Sequence, residues 1–232
     1  MKTIGIIGGM SYESSVHYYD RINRQVNELA GGLTCAKMLL YNVNFAPIRA
    51  HMLAGEWDAI GEELAGIARL LERAGADYVA IATNTMHKLA DYVQAQISVP
   101  LVHIADCVAK KCKEKQVSHV GLLGTKYTMT EAFLADRLRE NGLEVDVPED
   151  EAAIDEIDRI IFDELCKGEV KDSSREYYVE VVRKMIEEKG IQGVILGCTE
   201  IEMLLRPQDL AIPMFDTTQA HIDVLVEKCL EE

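Results

Sequence analysis

Short apolar runs and helical spacings take turns along this chain. Apolar runs bounded by glycine or proline predict buried strands. Apolar positions three and four apart predict helices packed along one side. The first run, Thr3-Ile4-Gly5-Ile6-Ile7-Gly8, predicts a strand that enters a glycine loop, Gly8-Gly9-Met10-Ser11. A helix is expected over 14–28, with Val16, Tyr19, Ile22, Val26 and Leu29 on its apolar side and Ser11 or Ser14 as its cap. Further strands are expected at 37–44, 77–82 and 100–104, and helices at 57–74 (closed by Gly75) and 88–96. A loop with Pro47 and Arg49 follows the second strand. Strands alternating with helices predict a parallel α/β sheet.

The pattern then restarts. Residues 117–125 repeat the opening strand, with Gly121 standing where Gly5 stood. Helices at 130–141, 152–165 and 173–189, strands at 143–148, 193–196 and 212–216, and a last helix at 217–230 complete the second round. Gly190 closes its helix as Gly75 closes the earlier one, and Cys198 follows its strand as Thr83 follows the earlier one. The offset is about 115 residues throughout, too few copies for a solenoid. The fold expected is α/β with two similar, pseudo-symmetric lobes, each a mostly parallel sheet flanked by helices. The lobes are 1–115 and 116–232, with the C-terminal helix 217–232 packing back on the first. The active site is expected in the cleft between them, because open parallel sheets place ligands beyond the C-terminal ends of their strands.

Charge and composition narrow the chemistry. A net charge of −15 argues against a nucleic-acid partner, which needs a cationic face. No apolar run approaches the ~18 residues of a membrane span, and the N-terminus lacks a signal peptide's apolar region. A cytoplasmic location and no membrane partner are therefore expected. A cytoplasmic chain keeps its six cysteines reduced, so no disulfides are expected, and with no Cys-x-x-Cys and no His-x-x-x-His pair neither is a metal site. Gly5, Gly8 and Gly9 do not make a dinucleotide fingerprint, and no phosphate-loop lysine follows them. That loop reads either as a tight strand-to-helix turn or as a turn whose amides, with Met10 and Ser11, face a small ligand.

The strand-end residues Gly197-Cys198-Thr199-Glu200 carry the sharpest chemistry. A thiol with an ordinary pKa of about 8.5 suits proton transfer near neutral pH. Glu200 stands where it could accept or hold that proton. Two groups on opposite walls of a cleft can take a proton from one face of a carbon and return one to the other, which is stereoinversion. The plainer reading makes Cys198 a buried thiol and Glu200 a solvated residue. Plain readings also cover His87 and His103 as satisfied structural histidines, Tyr12, Tyr18 and Tyr19 as packing residues, and 149–151 as a solvated acidic loop.

Four motifs in order, Gly8-Gly9-Met10-Ser11, Thr83-Asn84-Thr85-Met86-His87, Leu123-Gly124-Thr125-x-x-Thr128 and Gly197-Cys198-Thr199-Glu200, make the chain resemble the aspartate/glutamate racemase family. The resemblance implies a cofactor-independent racemase, commonly a homodimer, with one catalytic residue per lobe, usually cysteine. It implies that Asn84, Thr85, Thr125, Thr128 and Thr199 hold the substrate's α-carboxylate and amine. Family members specific for acidic substrates supply cations to the distal carboxylate, and Arg49 and Lys167 are the candidates. The first-lobe cysteine position is Thr83 here, as in some members. The expectation is that Cys198 is the main base, acting on the L-enantiomer, with Glu200 in support and Thr83 returning a proton to the opposite face. Competing readings are a broad-specificity racemase, a single-cysteine decarboxylase of the same superfamily, and a non-catalytic protein that binds an acidic amino acid. No lysine stands in a pyridoxal-phosphate context.

Overall fold

A computed structural model describes residues 1–231. Glu232, the last residue of the expected final helix, lies outside the described residues. The chain forms two compact units: Met1–Ile104 with the stretch from His221 onward, and Ala105–Ala220. It crosses from one unit to the other inside helices, rather than at the expected boundary of 115.

The first unit runs β1 (Thr3–Gly8), α1 (Tyr12–Ala30), β2 (Lys37–Asn42), α2 (Phe45–Ala54), α3 (Trp57–Arg73), β3 (Tyr78–Ile81), α4 (Ala90–Gln94) and β4 (Leu101–Val102). Helix α5 (Ile104–Glu114) leads into the second unit. There follow β5 (His119–Leu123), α6 (Lys126–Thr130), α7 (Ala132–Glu140), β6 (Glu144–Asp146), α8 (Glu151–Asp163), α9 (Asp172–Lys189), β7 (Gly193–Leu196), α10 (Ile201–Leu204) and β8 (Met214–Asp216). Helix α11 (Thr217–Leu230) ends the fold. Each unit holds one four-stranded sheet, ordered β2-β1-β3-β4 in the first and β6-β5-β7-β8 in the second. All pairings are parallel. The same strand order in both sheets is the predicted duplication in three dimensions.

The central strands are buried on both faces, which is why they read as unbroken apolar runs. In the first unit Ile7, Val79 and Ile81 pack with Leu64, Ala68 and Leu71 of α3. In the second, Leu123, Val194 and Leu196 pack with Ile157 and Ile161 of α8 and Val182 and Met185 of α9. Gly5 and Gly121 occupy the same place in the two units. A Cβ on Gly5 would meet Leu71 and Ala76 at 3.1 and 3.0 Å, and one on Gly121 would meet Met185 and Ile191 at 2.9 and 2.8 Å. Both glycines let a helix approach its sheet closely.

Two expectations need correction. In α1, Val16, Tyr19 and Leu29 are exposed, while Ser15, Tyr18, Ile22 and Val26 are buried. The buried stripe starts on a serine because that hydroxyl is used by the glycine loop, and it includes Tyr18 because the phenol finds a buried partner. Arg49 lies on α2, not in a loop. Asn44 caps that helix by accepting from Ala46 N–H at 3.3 Å, Gly55 ends it in the left-handed region, and Pro47 is tolerated in its first turn. Among the described residues no helix is long and apolar enough to cross a membrane.

Candidate functional site

In the first unit, β1 and β3 leave the sheet side by side. Ile7 pairs with Ile81, and Ala82 N–H donates to Ile7 O at 2.9 Å. Beyond that pair stand Gly9 on one strand and Thr83 on the other. Gly9 has a φ of 93°, and a Cβ there would lie 2.4 Å from Val43 O, so glycine is required. Ser15 Oγ accepts from Gly9 N–H at 2.7 Å and donates to Ser11 O at 3.0 Å. Ser11 Oγ caps α1 by accepting from Ser14 N–H at 3.3 Å. Met10 is buried beneath this loop and Ser11 is half-buried. After β3 the chain coils at once into a short 3₁₀ turn, Thr85–Leu89, which takes the first two residues of the helix expected at 88–96 and leaves α4 only Ala90–Gln94. Thr83 and Thr85 are half-buried, and Asn84 and His87 buried. The loop and strand-end residues predicted for this lobe are thus gathered at one end of one sheet.

The second unit repeats the device with different chemistry. Leu123 pairs with Leu196, and Gly197 N–H donates to Leu123 O at 2.6 Å. Thr125 and Cys198 follow on the adjacent strands. Thr125 Oγ1 caps α6 and lies 3.2 Å from Thr128 Oγ1. Cys198 is half-buried, and its Sγ donates to Glu200 Oε2 at 3.0 Å. Thr199 Oγ1 donates to the same oxygen at 2.6 Å. One carboxylate therefore holds both a thiol proton and a hydroxyl proton. Burial, then the Glu200 charge and its hydrogen bond, push the Cys198 thiol well above its ordinary pKa. At rest the thiol keeps its proton and has an acceptor already in place for it.

Arg49 is exposed on α2. Lys167 is exposed in the turn after α8 and pairs with Asp163 at 3.3 Å. Sequence reasoning missed two anchors. Thr217 Oγ1, fully buried, donates to Leu196 O at 3.0 Å and pins the strand that delivers Cys198. Glu164 is a buried carboxylate that accepts from Ser174 Oγ at 2.5 Å and from Arg159 Nη2 at 2.9 Å. Its carbonyl also accepts from Lys167 N–H and Glu169 N–H, which shapes the turn carrying Lys167. Thr217 was findable, since it stands at the exit of β8 as Thr83 does after β3. Glu164 was not: it continues the buried stripe of Ile157, Ile160 and Ile161, but a carboxylate is read as exposed unless partners satisfy it, and Ser174 and Arg159 are brought to it only by the fold. A groove of about 650 Å³ lined by Val147, Tyr177 and Met185 also lies on this unit, but it holds none of these strand-end residues. Among the described residues no group of three or more His, Cys, Asp or Glu side chains is placed to hold a metal ion.

Two parallel four-stranded sheets of the same strand order, each flanked by helices, define a doubled α/β protein. The chain belongs to the Asp/Glu/Hydantoin racemase family, whose model matches residues 7–225. It is similar to a candidate Asp/Glu racemase from Yersinia pestis, 42% identical over the whole of both chains with a TM-score of 0.95. An aspartate racemase homologue from Pyrococcus horikoshii OT3 is 38% identical over the whole of both chains, with a TM-score of 0.88. The broad specificity amino-acid racemase RacX of Bacillus subtilis (strain 168) is 24% identical over 93% of this chain and 92% of its own.

Proposed function

We propose that the chain is a cofactor-independent amino-acid racemase acting on aspartate, glutamate or both, with one base from each unit. The observation that carries this is the Cys198 thiol held on Glu200 at the end of β7, with Thr83 at the equivalent end of β3. Family membership supports the reaction class. Cys198, as thiolate, takes the α-proton of the L-enantiomer, and the electron pair spreads onto the α-carboxylate. Glu200 accepts the proton that frees the thiolate. The cationic ammonium of a bound substrate favours that thiolate by charge. Thr83, relaying from water, delivers a proton to the opposite face. Met10, Ser11, Asn84, Thr85, Thr125, Thr128 and Thr199 form the substrate-binding set in this proposal, and the assembly is a homodimer, checked by sedimentation.

A threonine is a far weaker acid–base group than a thiol, so the two directions should differ. Solvent-deuterium incorporation from each pure enantiomer reads this, with C198A as control. Faster incorporation from the L-enantiomer is expected, and equal rates would sink the asymmetric pair. A protein that binds aspartate without α-proton exchange would be a binder, and one that instead releases carbon dioxide from a substituted malonate would be a decarboxylase.

A broad amino-acid range is the second reading. It is favoured by the likeness to RacX and by the ion pair that engages Lys167 with Asp163. R49A separates the two. A larger rise in KM for aspartate than for a neutral amino acid keeps Arg49 on the distal carboxylate, and an equal effect removes it.

A further inference from the structure

We propose that His87 is a positioning residue for the Thr83 half of the reaction, clasping the turn from which the Thr83 hydroxyl hangs. The inference rests on the two-base reading of the function. His87 Nδ1 lies 2.9 Å from Thr83 O, and a carbonyl only accepts, so Nδ1 carries the proton. Nε2 is then the lone-pair nitrogen, and it accepts from Ile104 N–H at 3.2 Å. One neutral ring, in one tautomer, ties the exit of β3 to the exit of β4.

The ring is itself held. It packs against His103 at 4.6 Å and His221 at 5.9 Å between centroids. His221 Nε2 lies 2.9 Å from Val102 O and so donates to it, which leaves Nδ1 to accept from Tyr18 OH at 2.8 Å. Tyr18 and the three histidines are all buried. Each of these bonds to His87 and His221 is one a neutral ring makes, and burial keeps both rings below the ordinary histidine pKa. The group touches backbone at Thr83, Val102 and Ile104, so its rigidity passes into the strand ends. Fixing the Thr83 carbonyl fixes the peptide plane next to its side chain. The second unit holds its thiol strand by another device, Thr217 on Leu196. Loss of His87 should therefore loosen proton return and spare proton removal.

Two substrates separate these steps. Inversion of L-aspartate needs both bases. A β-chloro-L-aspartate needs only removal: the α C–H bond breaks with its proton passing to Cys198, the pair forms the C=C bond, chloride leaves, and the enamine hydrolyses to oxaloacetate and ammonium. H87Q, whose amide reaches the place of Nε2 and not that of Nδ1, should invert about 10- to 100-fold more slowly while its elimination rate stays near wild type. H87N, whose amide nitrogen takes the place of Nδ1, should keep most inversion. H87F preserves ring packing without either bond and should behave as H87Q, so the test survives if H87Q does not fold. Equal losses of inversion and elimination, or an H87N protein no better than H87Q, would overturn the proposal. T83V guards the underlying reading. If T83V inverts normally the two-base scheme fails, whereas loss in T83V with normal inversion in H87Q and H87F removes His87 alone.

Discussion

Gly197 is the narrowest point behind the thiol, and adding one methyl there tests how the strand end is built. A Cβ would lie 2.9 Å from Leu123 O, 2.9 Å from Thr128 Cγ2 and 3.2 Å from Leu122 Cδ1. Favourable carbon contacts begin at about 3.5 Å, so the methyl is roughly half an ångström too close to Thr128. The Leu123 carbonyl cannot swing aside freely, since it also accepts Gly197 N–H at 2.6 Å. Overpacking of this kind costs about 1–3 kcal/mol. For a chain of this size that lowers Tm by roughly 3–10 °C. The strain falls next to Cys198, and a displaced reacting group loses up to about 100-fold in rate. Calorimetry and the inversion rate of G197A measure both effects. Adding T128S removes one contact and leaves the backbone oxygen, so it should restore only part of each. A G197A protein that melts and inverts like wild type would refute the account of this strand end.

Three other outcomes are expected from the same structure. In E200Q the negative charge that raises the Cys198 thiol is gone, so its pKa falls and the alkaline rise of L-side exchange moves to lower pH; a pH–rate profile that does not move, or moves up, contradicts this. Buried His87 and His221 make the fold acid-sensitive. In the unfolded chain they take up protons near pH 6.5, but folded His221 does so only at about 3, so stability is complete above 6.5 and is lost as pH falls toward 3. Each such histidine contributes a slope of about 1.4 kcal/mol per pH unit, and urea midpoints equal at pH 7 and pH 5 would disprove it. G66A should raise Tm by about 1–4 °C with activity unchanged, because a Cβ in that helix position meets nothing nearer than Arg69 Nη2 at 4.0 Å; a lower Tm would show a packing contact the fold does not have.

How far the residues alone reach can be judged from particular elements. The strand at 193–196 matches β7 residue for residue, because a doubly covered parallel strand has to be an unbroken apolar run. The duplication was legible for the same reason, as glycines demanded by close packing recur at equal offsets. Helix α2 was not, since Asn44 and Pro47 punctuate loops and helix starts alike. Helix α5 has no counterpart among the expected elements, although Cys107, Val108 and Cys112 form its buried side. The α1 face was misread because a serine and a tyrosine bury only when a tertiary partner satisfies them.

By itself, then, the sequence determined the doubled α/β architecture and placed one thiol and one threonine at matching strand ends. These follow from local patterning, which hydrophobic burial and glycine conformation dictate residue by residue. Only the tertiary structure decided that Cys198 and Thr199 share one oxygen of Glu200, that Thr217 pins the thiol's strand, and that His87 holds Thr83 in a single tautomer. Those bonds depend on side-chain direction, which apolar spacing does not encode even between near neighbours, and the bond from Thr217 to Leu196 reaches back from α11 to β7.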